Sequence, residues 1–439
     1  MYGMPYPGCD KNGCKEENMK LRKRFSRVFL SVTAGLLIVA GLSGAGPAMA
    51  AETLVVTGIS SFRLIEPFIP QFTKATGINV DLQILPYPQL RQKAMADLVG
   101  GTANSDVYTM DIIWLGEWAT NGYARALDDL IARDKAEVNM EDILPGAFNA
   151  LSRWNNKSWS MPFGAYYFLM YYRNDWFQEK GFKPPVTLED VDAAAAALTD
   201  KRVNRYGISM PYQRGGAITS WFLSTYCGAG GTLLKNPPQD FAPNLNSPRA
   251  LTILKHYLKW RDFAPASAIN HHWNDQTIAM QSGQLGMAPS FSINGAEFAK
   301  PEVSTIAGKV GYTYMPRFKA DEPPMIPFGG WTVTINPKSP KVEQAWKFLK
   351  WAASAAVQKD VAELSGTPVR YSTLSDPGLQ KKFPWLKFVL EAEKAGRVYP
   401  DYRPRYPFYP KIVFPQKHFQ MMFFVDKAYR KKSYSSQNL

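Results

Sequence analysis

Asp111 and Glu117, six positions apart, are the nearest approach in this sequence to a hydrolytic pair. Two carboxyl groups cleave a glycosidic bond when one protonates the leaving oxygen and the other attacks the sugar or activates water, at a separation that only the fold sets. Other reactive patterns are absent. The chain has no Walker-type phosphate loop, no GxGxxG at a strand-to-helix turn, no HExxH, and no CxxC beyond residue 50. His271 and His272 are adjacent, and neighbours in sequence do not share a face of a helix or strand, so they do not read as a metal site. The glycine-rich run at 228–231 follows a helix-like stretch and has no lysine partner, which makes it a loop or helix stop rather than a phosphate cradle. No metal or organic cofactor is expected, and nothing here identifies an enzyme.

What remains is aromatic: Trp114, Trp118, Tyr166, Tyr167, Trp221, Phe291 and Trp331 fall in expected loops or at strand ends. Sugar rings present C–H faces flanked by hydroxyls, so a binder needs flat apolar rings to stack on and polar side chains for the edges. Taken one at a time, each ring is as well explained as core or rim; only the set points to binding.

The elements that must position them alternate in type. Residues 53–57 form a β-branched strand running into Gly58-Ile59-Ser60-Ser61, after which Leu64, Ile65, Phe68, Ile69 and Phe72 recur at helical spacing, with Pro70 expected to bend the helix. Gly77 closes it, and residues 78–84 alternate as a second strand, so the opening is β-α-β with a parallel sheet. Leu90, Ala94 and Leu98 mark a helix ended by Gly100-Gly101, and a buried strand at 106–110 runs into the polar and aromatic stretch 111–118. Ligands of open α/β sheets bind beyond the carboxyl ends of strands, which makes 58–63 and 111–118 the first candidates for a site. Farther on, Ser247-Pro248 caps a helix expected to bury Leu251, Leu254 and Leu258. Residues 331–335 form a strand entered through Gly329-Gly330, and Val342, Ala345, Trp346 and Leu349 mark the helix after it.

The whole chain is 439 residues with a formal charge of +14, a length that suits two or three domains. The charge sits at the ends: residues 1–50 carry +4 and residues 411–439 carry +5, leaving +5 across 360 residues between. That body has no electrostatic footprint for nucleic acid. A basic stretch at 19–27, an apolar stretch at 28–42 and Ala48-Met49-Ala50 read as an export signal cleaved before Ala51, with Met19 the expected start and Met1–Asn18 an upstream extension. Cleavage leaves Cys227 as the only cysteine, so the exported protein has no internal disulfide, and a soluble periplasmic location is expected.

The ordered set of segments resembles the bacterial extracellular solute-binding proteins of ABC importers, in the carbohydrate-binding group that includes maltose-binding protein. The matching stretches are 53–85, 106–130, SMPFGAYYFLMYYRND at 160–175, GMAPSFSING at 286–295, GGWTVTINPKSP at 329–340 and GTPVR at 366–370. The resemblance implies a periplasmic-binding-protein type II fold: two α/β lobes joined by a hinge, with the ligand cleft between them. One lobe would hold 52–163 and 326–366, the other 164–325 and 367–410. By the same pattern, ligand-binding positions fall on Ser60, Ser61, Phe62, Arg63, Trp114, Glu117, Tyr166, Trp221, Ser290, Phe291, Gly330, Trp331 and Arg370. The implied partners are a small-molecule carbohydrate and the permease subunits of an importer, the protein itself being a monomer that makes and breaks no bond.

Two readings stand beside this one. The same fold could take a phosphorylated polyol, an opine or a polyamine, and Arg63 and Arg370 in the pocket would favour an anion. An exported glycosidase or lyase is the enzyme alternative. Residues 411–439 depart from the family, lacking its alanine-rich closing helix, and read either as a frameshifted or truncated end or as an ordinary divergent tail.

Overall fold

The computed structural model describes residues 52–410 apart from Pro238, so the expected export signal and the atypical tail lie outside the described residues. One mixed sheet organises the chain. Its strands are β1 (Thr53–Ile59), β2 (Asn79–Leu85), β3 (Val107–Asp111), β4 (Met161–Arg173), β5 (Met287–Phe291), β6 (Val310–Thr313), β7 (Ile326–Ile335) and β8 (Val398–Tyr399). The order is β6-β4-β7-β3-β1-β2, with β5 also on β4 and β8 on β7. β1 pairs in parallel with β2 and β3, as the β-α-β opening requires. The sheet is not parallel throughout: β7 runs antiparallel to both β3 and β4.

β4 is the longest strand, and it changes partners along its length. Residues up to Tyr167 face β7, whereas Phe168 onward pairs with β5 and then β6. One continuous strand therefore links two sets of pairings. β7 is buried at all ten positions, consistent with its place between β3 and β4.

Local sequence explains most of the helices. Leu90, Ala94 and Leu98 are buried on the helix Tyr87–Gly100, as their spacing predicts. Ala345, Trp346 and Leu349 do the same on Val342–Ala352. Gly77 ends Ile69–Thr76 in the left-handed region at φ 73°, where a β-carbon would be strained. Pro70 does not bend that helix. It stands in the first turn, where its missing N–H costs nothing, and the preceding Ser60–Phe68 winds as a 3-10 helix containing Pro67. The helix Pro248–Lys259 is capped by Ser247 as expected, but its buried residues are Ala250, Ile253 and Tyr257, and Leu251 is 54% exposed. The inward stripe is one residue out of phase with the leucines, because Tyr257 has the larger apolar body and packs against Tyr212 and Phe222.

After β8 the chain continues as an arm to residue 410. The Gly116 N–H donates to the Arg405 carbonyl at 3.1 Å, and Arg405 Nη1 donates to the carbonyls of Asn149 and Ala150. Tyr406 packs against Trp154 on one side and Phe241 on the other.

Candidate functional site

Three neighbouring strands bring polar and aromatic groups onto one sheet face: Asp111 from the carboxyl end of β3, and Tyr166 and Trp331 from within the antiparallel strands β4 and β7. Trp331 is in register with Asp111 across β7 and β3, and Gly329 is in register with Tyr166 across β7 and β4. Side chains alternate faces along a strand, so Gly329 and Trp331 look the same way and Gly330 looks the other. A β-carbon on Gly330 would strike the Gly164 carbonyl and Leu151. Gly330 is therefore packed against β4 and Leu151, while its neighbour Gly329, buried like the rest of β7, looks toward Arg403 and Tyr402. A β-carbon on Gly329 would stand 3.1 Å from Arg403 Nη2 and 3.5 Å from the Tyr402 hydroxyl.

Asp111 and Arg403 form the polar centre. Arg403 Nη1 and Nη2 each reach one Asp111 oxygen at 3.4 Å, and the Tyr87 hydroxyl donates to Asp111 Oδ2 at 2.8 Å. Arg403 Nε donates to the Tyr402 hydroxyl at 3.1 Å. Burial opposes charge on Arg403, but the Asp111 carboxylate outweighs it and holds the guanidinium pKa above its ordinary value. Burial, then the Asp111 charge, pushes the Tyr87 phenol well up, so it stays a neutral donor. Burial likewise pushes Tyr166 up to about 12.

Two aromatic groups flank this centre. In the first, Trp114 stacks on Trp118 at 5.5 Å and meets Trp331 edge-on at 5.6 Å, with Tyr87 against both Trp114 and Trp331. In the second, Trp221 stacks on Trp273 at 6.2 Å and meets Phe168 and Phe291 edge-on. Trp221 Nε1 donates to the Pro289 carbonyl, which fixes that ring. The groups touch where Tyr87 meets Trp273 at 6.4 Å and where Tyr166 lies 6.4 Å from Phe291. Trp114 Nε1 and Trp273 Nε1 are buried with no hydrogen-bond partner, two donors that suit hydroxyl oxygens.

Of the residues read from sequence, Trp114, Tyr166, Trp221, Phe291 and Trp331 come together here. Ser61 joins them by accepting from the Tyr166 hydroxyl at 2.9 Å, and Ser290 accepts from Asn294 Nδ2 at 2.7 Å. Ser60 is exposed beside Leu85. Glu117 is bound to Arg91, whose guanidinium lies over Trp114. Phe62 is not brought to the site: it is fully buried against Phe163 and Phe348, because a ring following β1 fills the core beneath the sheet. Arg63 is 65% exposed and pairs with Glu66. Arg370 is also elsewhere. Its Nε donates to the Ala353 carbonyl, Nη2 to that of Val138, and Nη1 reaches Asp142, while burial holds its pKa below the usual value. The hydrogen-bond partners described for these two arginines all lie outside the site residues above.

Sequence reasoning missed Tyr87, Trp273, Tyr402 and Arg403. Tyr87 stands just past the carboxyl end of β2, a position that the strand-end rule would have found had it been applied there. Trp273 lies beside His272, where only metal ligation was weighed. Among the described residues no group of three or more His, Cys, Asp or Glu side chains could hold a metal ion, and no helix is long and apolar enough to cross a membrane.

Comparison with known proteins is consistent with this geometry. The family model described as bacterial extracellular solute-binding protein matches residues 60–359. An erythritol/L-threitol-binding protein of Mycolicibacterium smegmatis is 24% identical over 328 residues, covering 70% of this chain and 68% of the relative. A solved ABC transporter solute-binding protein from Agrobacterium radiobacter, in complex with ribitol, is 32% identical, with a TM-score of 0.77 over 82% of this chain and 91% of that one. Another from Agrobacterium vitis, with bound D-mannitol, is 26% identical, with a TM-score of 0.69 over 79% and 84%.

Proposed function

The chain belongs to the bacterial extracellular solute-binding protein family, and from that premise we propose that it grips an uncharged, hydroxyl-rich solute, a polyol or small sugar, at the Asp111–Arg403 pair. It is the solute-binding component of an ABC importer and not an enzyme. The observation that carries the choice of ligand is the charge balance of the site. One carboxylate faces one guanidinium, so the centre is neutral yet offers strong acceptors and donors side by side, which hydroxyls use in both roles. A phosphorylated polyol would meet the like charge of Asp111 there, and a polyamine that of Arg403. The relatives named for erythritol or threitol, ribitol and mannitol support a polyol.

The two α/β lobes divide as 52–163 with 326–366 and 164–325 with 367–410, hinged where β4 changes partners. Closure is an equilibrium that the ligand biases by touching both lobes at once. The closed monomer then presents the solute to the permease from the periplasm, after export and removal of the first 50 residues.

Thermal unfolding against a panel of polyols, sugars, sugar phosphates and polyamines tests this. A ligand of the folded state at 100 times its Kd adds about 2.7 kcal/mol of stability. Uncharged polyols or sugars should raise Tm; a rise confined to the charged compounds would overturn the reading.

A further inference from the structure

Tyr87 and Trp273 are each held by separate machinery and meet at the seam between the aromatic groups. Tyr87 begins the helix Tyr87–Gly100, its hydroxyl tied to Asp111 and its ring packed on Trp114 and Trp331. Trp273 begins the helix Trp273–Gln281, its indole stacked on Trp221 and 4.6 Å from the His272 ring. Neither ring swings aside without giving up several contacts. Their centroids lie 6.4 Å apart at 75°, an edge-to-face contact. A sugar ring slotted between two aromatic faces needs a gap of about 7–8 Å, two van der Waals separations.

Resting on the carbohydrate reading above, we propose that the Tyr87–Trp273 contact is a size gate: it shuts one end of the site and restricts the ligand to a single short polyol or monosaccharide. A disaccharide bound at Asp111 and extending toward this end would hold the two rings apart and forfeit closure. The gate's selectivity is thus a penalty on closing rather than a clash in an open lobe. Tyr87 acts twice, as a donor to Asp111 and as half of the gate; Trp273, whose Nε1 has no partner, is the other half.

Calorimetry with erythritol, ribitol and mannitol against maltose and trehalose separates the roles. The parent protein should bind its best polyol at least roughly a hundredfold more tightly than either disaccharide. Trp273→Ala should narrow that ratio at least about tenfold, and Tyr87→Ala should do so while also weakening polyol binding. Tyr87→Phe keeps the ring, so it should lose polyol affinity and leave the ratio unchanged. Trp273→Leu, a milder change, serves the same test if the alanine variants fail to fold. Disaccharide binding by the parent within tenfold of the polyol, or folded gate variants that keep the full ratio, would overturn the gate while leaving the carbohydrate reading standing. A parent that binds none of the five compounds would overturn both.

Discussion

Trp331 and Asp111 are directly opposed in register on neighbouring antiparallel strands, so an indole and a carboxylate emerge side by side on one sheet face. This pairing gives a ligand a flat apolar surface and a strong acceptor within one residue's width. Trp331→Ala removes the surface and leaves the acceptor. Loss of a well-packed interface tryptophan commonly costs about 2 kcal/mol or more, so affinity for the cognate solute should fall by roughly thirtyfold. Calorimetry that finds unchanged affinity would remove Trp331 from the site.

The Asp111–Arg403 pair should behave as a unit. Its side chains are 3% and 14% exposed, and removing one partner leaves the other charge buried without its counterpart, at a cost of about 3–5 kcal/mol. Asp111→Asn and Arg403→Gln should each lower stability and abolish tight binding. The double variant should recover part of the lost stability and none of the affinity, a coupling visible in a denaturant-unfolding cycle. Strict additivity of the two losses would show that the groups are independent.

Arg370 predicts the opposite pattern. Its donors are spent on the carbonyls of Ala353 and Val138 and on Asp142, far in role from any solute. Arg370→Ala should destabilise the fold by about 3–5 kcal/mol, as expected for a buried charge network that loses one member. Affinity measured on the folded fraction should stay within about twofold. A large affinity loss at normal stability would return Arg370 to the binding surface.

These contrasts show what the sequence exposed and what it hid. Elements written in local spacing were legible: Leu90, Ala94 and Leu98 sit inward as their period requires, and Gly77 stops its helix. Where two apolar stripes competed, as on Pro248–Lys259, spacing alone chose the leucines and tertiary packing chose Tyr257. Trp114 follows the carboxyl end of β3, where the strand-end rule places candidates, whereas Trp331, read as the start of a strand at 331–335, lies inside β7, which begins at Ile326 and runs antiparallel to β3. Gly329 and Gly330 differ only in which face they look toward, and that depends on register with β3 and β4. Arg403 carried no local signal at all, since its meaning comes from Asp111, 292 positions earlier.

That separation governs the order of assembly. A polypeptide that emerges from a ribosome or a translocation channel amino end first releases Asp111 and its tryptophans long before the arm after β8 arrives. Until Arg403 follows, the carboxylate has no guanidinium to answer it. The Asp111–Arg403 pair is therefore completed only after nearly all of the described body has been delivered.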